Sequence, residues 1–84
     1  MAAPGAGGGQ QVTILDVRGL ACPLPVLKAR RAIRDVAAGG LLKVLATDPA
    51  SVADFKSFCA VTGHRLEDSA EAGGVYSFVI RAKE

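Results

Sequence analysis

From residue 11 to residue 82 the chain alternates segments of two different periods, and their order restricts the fold more than any single residue does. QVTILDV, residues 11–17, is rich in β-branched side chains and reads as a strand. From Pro23 to about Ala38 the period becomes helical. Val26, Ala29, Ile33, Val36 and Ala37 share one stripe, while Lys28, Arg31, Arg34 and Asp35 point away from it. Gly39-Gly40 is expected to stop this helix through a left-handed glycine. LLKVLAT, residues 41–47, is a second strand. Asp48-Pro49 then reads as the N-cap and first residue of a second helix, with Val52, Phe55, Phe58, Cys59 and Thr62 on its inner face and Gly63 at its end. His64 to Ala70 and Val75 to Ala82 complete the chain as a hairpin across Gly73-Gly74. Strands joined through a helix are parallel with a right-handed crossover. The order predicts an α/β fold: a two-layer βαβαββ sandwich, a four-stranded mixed sheet with two helices on one face.

Eighty-four residues leave room for one core, so residues 11–84 are expected to form a single domain. Half the residues are apolar, yet no run approaches the ~18 residues of a membrane span. The first ten residues, MAAPGAGGGQ, lack the basic start and apolar stretch of a secretory signal and read as a disordered Gly/Ala-rich tail. The protein is expected to be cytoplasmic and not membrane-bound. A net charge of +2 is too small to indicate nucleic-acid binding.

Chemistry concentrates in LACPLPVLKAR, residues 20–30. A proline at the first helical position sacrifices no hydrogen bond, and Pro25 still lies where backbone donors are unpaired. With Pro23 first in the helix, Cys22 becomes its N-cap, so the sulfur meets the positive end of the dipole and a free N–H such as that of Leu24. Arg18, Lys28, Arg30, Arg31 and Arg34 add cations, with no acid from 18 to 34. All of this predicts a Cys22 thiol more acidic than an ordinary one, hence a nucleophile. A C-x-x-C redox pair is absent, because Pro25 stands where the second cysteine would be. Cys59 lies on the apolar stripe of the second helix and reads as a small hydrophobe, too far from Cys22 for a disulfide. His64 lies away from Cys22 in this topology and reads as a strand-start residue. Cys22, Cys59 and His64 match no zinc spacing, so no metal is expected. Leu24 and Leu27 lie outside the core stripe, flanked by Lys28 and Arg31, as a partner-docking surface would be arranged.

The stretch LDVRGLACPLPVLKARRAIR resembles the TusA family of sulfur carriers, also called SirA-like. Its mark is a C-P-x-P motif after a first strand, here Leu15, Asp16, Gly19, Leu20, Cys22, Pro23 and Pro25. The likeness continues through TDPASVADFKSFCAVTGHRL to Tyr76 and Val79-Ile80-Arg81. The resemblance implies the same βαβαββ sandwich and a sulfurtransferase that relays a persulfide on Cys22 between proteins rather than turning over a small molecule. It implies a cysteine desulfurase or rhodanese-like donor and an acceptor relay protein. The destinations it suggests are tRNA thiolation, molybdenum-cofactor pathways or oxidation of reduced sulfur compounds. Cys59 is not the carrier in that picture, and thiol exchange itself needs no cofactor. The alternative is an RNA-binding or regulatory module with the same two-layer fold and no sulfur transfer. Against RNA binding, no aromatic residue accompanies the basic stretch to stack on bases.

Overall fold

The computed structural model describes residues 12–84. The expected tail at 1–10, and Gln11 at the start of the first strand, lie outside the described residues. The elements are β1 (Val12–Asp16), α1 (Leu24–Ala32), β2 (Leu41–Ala46), α2 (Ser51–Thr62), β3 (Arg65–Ala72) and β4 (Val75–Arg81). They form one four-stranded sheet in the order β1-β2-β4-β3. β1 and β2 are parallel, with Val12 opposite Leu41 and Asp16 opposite Leu45. β4 runs antiparallel to both of its neighbours. This is the expected βαβαββ order. Within the described residues, no helix is long and apolar enough to cross a membrane.

Alternation sets which sheet face is covered. Leu42, Val44 and Ala46 of β2, with Phe78 and Ile80 of β4, are fully buried beneath the helices. Ala29 and Pro25 of α1, Ile33 just beyond it, and Phe55, Phe58 and Cys59 of α2 close the core from above. Phe55 stacks on Phe78 with ring centroids 4.8 Å apart and meets Phe58 edge-on at 6.3 Å. Because aromatic side chains are few, these three rings supply the large volumes that small aliphatics cannot.

Two helix boundaries, the end of the first and the start of the second, differ from the expected ones. The first helix stops at Ala32 and tightens into a 3-10 turn over Ile33–Asp35, after which Val36 is extended. Ala37, assigned to the buried stripe, is therefore exposed. Gly39 does adopt a left-handed φ of 80°, but in the turn to β2 and not at the helix C′ position. The second helix begins at Ser51, because Ser51 and Val52 first donate to the carbonyls of Asp48 and Pro49 in a tighter turn. Its end is as expected: Gly63 has φ 87° and returns its N–H to the carbonyl of Cys59. The hairpin turns on Gly73 and Gly74, with φ of 57° and 84°, the double left-handed geometry that a two-residue connection favours. Near its start β3 carries a bulge, between Leu66 opposite Ile80 and Asp68 opposite Val79. The intervening Glu67 accepts from the Arg81 guanidinium at 2.8 Å.

Candidate functional site

Both helices begin at the same edge of the sheet, and one carboxylate ties the two beginnings together. Asp48 Oδ2 accepts the backbone N–H of Cys22 at 2.7 Å, and Oδ1 accepts that of Ala50 at 3.0 Å. A residue expected to cap α2 thereby fixes the chain entering α1 as well. The two donors hold the Asp48 carboxyl below its ordinary pKa, with the Cys22 N–H the larger cause.

The N-cap of α1 is Pro23, and Pro25 sits in its first turn, fully buried. Cys22 therefore stands one residue outside the cap, and it is exposed. This corrects the expected placement and its consequence. The N–H of Leu24, which was to face the sulfur, donates to the carbonyl of Ala21 at 2.9 Å. Pro23 and Pro25 have no N–H to offer. Arg18, expected to favour the thiolate, is engaged by Asp16 through a two-pronged contact, Nε to Oδ1 at 2.9 Å and Nη2 to Oδ2 at 2.8 Å. That pair lowers the Asp16 carboxyl to about 2. Across from Cys22 stands Asp54 of α2. Its carboxylate favours the protonated thiol as a hydrogen-bond donor and, with desolvation and the charge of Asp48, pushes the Cys22 thiol above the ordinary value. The free protein thus holds Cys22 less acidic than a peptide thiol, the reverse of the sequence expectation. Local sequence contains only the cations of α1; the opposing acids arrive from a different element.

The residues singled out from the sequence divide between two concavities on either side of α1. Cys22 and Pro23 line a cleft of about 290 Å³ between α1 and α2, with Val26, Arg30, Asp54, Ser57 and Phe58 among its walls. Leu24, Leu27, Lys28 and Arg31 line a separate groove of about 710 Å³ that also takes in Leu15. Leu24 and Leu27 are 45% and 47% exposed, so neither is spent on the core. The sequence reading missed Asp54 and Ser57, and it counted Arg30 only among the cations of the stretch. The signal was present in the spacing: 54, 57, 58 and 61 fall on one side of a helix, and 26 and 30 on one side of the other.

Cys59 is buried, free of any disulfide, and burial raises its thiol pKa. His64 takes no part in the cleft. Its Nδ1 accepts the N–H of Lys83 at 3.0 Å and its ring packs near Phe58. Burial and then the charge of Lys83 hold it below the ordinary histidine value. No cluster of His, Cys, Asp or Glu suited to a metal occurs among the described residues. Phe55, Phe58 and Phe78 are core residues and Tyr76 packs against them. No exposed ring is left as a platform for nucleic-acid bases.

Comparison with known proteins places this geometry. A protein-family model described as sulfurtransferase TusA matches residues 13–82. The sulfur carrier protein TusA of Pseudomonas aeruginosa is 49% identical over 70 residues, 83% of this chain and 89% of that protein. The protein of that name in Allochromatium vinosum is 46% identical over 67 residues, 80% of this chain and 88% of its own. The crystal structure of a SirA-like protein from Desulfitobacterium hafniense superposes with a TM-score of 0.75 at 26% identity, covering 88% of this chain and all of the other. Sequence and fold agree: this chain belongs to the TusA sulfurtransferase family.

Proposed function

We propose that this protein is a sulfur carrier that holds sulfur as a persulfide on Cys22 and relays it between two proteins. The observation that supports this most is the contrast between its two thiols. Cys22 is exposed at the mouth of a cleft, while Cys59 is enclosed in the core. In loading, the Cys22 thiolate attacks the outer sulfur of a donor persulfide. A new S–S bond forms, the donor's S–S bond breaks, and its electron pair leaves on the donor's inner sulfur, which becomes a thiol by taking up a proton. Unloading repeats the step with an acceptor thiolate attacking the outer sulfur on Cys22, which departs as thiolate. No net oxidation accompanies either step, and the chemistry calls for no metal or organic cofactor.

The donor in this reading is a cysteine desulfurase or a rhodanese-like protein in the cytoplasm. The acceptor is a further relay protein, on a route such as tRNA thiolation. Leu24 and Leu27, rimmed by Lys28 and Arg31, form the docking surface for a partner face with an apolar centre and acidic edge. Pro23 and Pro25 shape the approach, Pro25 by filling the core beneath the turn. The test is to load the protein from a desulfurase and cysteine and map added sulfur by non-reducing mass spectrometry. Cys22→Ser should acquire none and Cys59→Ala should load normally. Equal loading of both cysteines in the folded protein would refute the assignment.

A further inference from the structure

We infer that Asp54 is a positioning residue for the transfer: its carboxylate shares the α1–α2 cleft with Cys22 and disfavours negative charge on that sulfur, restraining sulfur uptake and loss until a docked partner's cation offsets it. The inference rests on the reading of Cys22 as the sulfur-bearing atom. Its geometry follows from α2, whose residues 54, 57, 58 and 61 share the side turned toward α1 and line the cleft with Cys22. Asp54 makes no salt bridge among the described residues, so its charge is not spent on an internal cation.

Among the described residues, three charged groups bear on Cys22. Asp54 comes from α2, Asp48 from the turn before α2, and Arg30 from α1, about two turns further along the same cleft. Lys28 and Arg31 line the groove on the other side of α1, and Arg18 is held by Asp16. The two carboxylates prevail, and the thiol is held above its ordinary pKa with Asp54 as the first cause.

The consequence reaches both half-reactions. Cys22 must carry negative charge to attack the donor's outer sulfur, and must depart with it when the acceptor thiolate takes that sulfur away. A neighbouring carboxylate opposes each, because a less acidic thiol is less ionised and a slower leaving group. A small thiol has no docking surface to hold a cation against Asp54, whereas a protein partner with a basic side chain at that point removes the restraint. The effect is a carrier that keeps its sulfur between partners.

The test is the pH profile of Cys22 alkylation by iodoacetamide, followed by mass spectrometry, in the wild type, Asp54→Asn and Asp54→Glu. The Asn variant should react at lower pH than the wild type, and Asp54→Glu should return toward it. At pH 7 a tenfold gain in thiolate costs about threefold in nucleophilicity, so a net rise of about threefold marks the effect. A profile for folded Asp54→Asn that superimposes on the wild type overturns the inference. If that variant does not fold, the wild-type Asp54 carboxyl carbon must show an NMR inflection where Cys22 ionises, lost in Cys22→Ser. Its absence overturns the inference equally. No sulfur donor enters these measurements, so their outcome is separate from whether Cys22 loads.

Discussion

Replacing Leu24 and Leu27 together by aspartate separates docking from chemistry. Full burial of a leucine is worth about 1.5–3 kcal/mol. At 45% and 47% exposure, each side chain retains roughly half of that, about 1 kcal/mol, for a partner to cover. The pair therefore supplies about 2 kcal/mol, which at ~1.4 kcal/mol per decade is about a 30-fold change in affinity. Aspartate adds repulsion if the partner edge is acidic, as the neighbouring Lys28 and Arg31 suggest. Neither leucine belongs to the core cluster, and a carboxylate in the first turn of α1 suits the helix dipole, so the fold should persist. The assay is sulfur transfer from a cysteine desulfurase as a function of carrier concentration, with loading by polysulfide as the control. Transfer at sub-saturating carrier should fall at least tenfold while polysulfide loading is unchanged. Unaltered transfer with a genuine donor would place the docking face elsewhere, and equal loss in both assays would show that the leucines act on the thiol.

Phe55→Ala should cost about 3–5 kcal/mol, the usual range for a buried phenylalanine, against a total of only ~5–15 kcal/mol for a domain. Here the ring is fully buried and stacked on Phe78. Urea titration followed by circular dichroism reads this, and a midpoint equal to the wild type would contradict the assigned core. His64 should make stability depend on pH near neutrality. Its folded pKa is lowered by burial and Lys83, so its contribution is complete above the ordinary value of about 6.5 and is lost as pH falls through the folded pKa. The thermal midpoint should drop between pH 7 and 5, and His64→Asn, which keeps an acceptor for Lys83 N–H but does not titrate, should flatten that slope. An unchanged slope in the variant would assign the dependence to another group.

Much of the architecture was legible because its signals are local. The alternation in β2 and β4, the Gly63 stop and the Gly73-Gly74 turn each state their conformation within a few residues. Boundaries failed where competing short-range bonds were equally good. Ser51 and Val52 close a tighter turn on Asp48 and Pro49 before α2 begins, and Ile33–Asp35 winds into 3-10 geometry where periodicity continues the helix. The identity of the exposed thiol was legible from Cys22 and Cys59 themselves. Its acidity was not, because that depends on carboxylates 26 and 32 residues away in sequence, which the fold alone brings beside it. Arg18 misled for the same reason at short range: its charge is absorbed by Asp16, two residues before it.

The bulge in β3 bears on how the sheet edge meets other chains. β3 is an outer strand of the sheet, eight residues long, and an outer strand of that length offers a row of free peptide groups to any passing chain. A one-residue irregularity at Glu67 interrupts the row, and Arg65, Glu67, Asp68 and Glu71 stud it with ionic side chains. Strand-to-strand recruitment of a second copy would have to desolvate those charges and match a register that shifts near the start of the strand. A molecule that leaves leucines and a thiol open to solvent can tolerate them because its most adhesive surface, the rim of the sheet, has been made unattractive to itself. Self-association, where it occurs, is then directed away from β3.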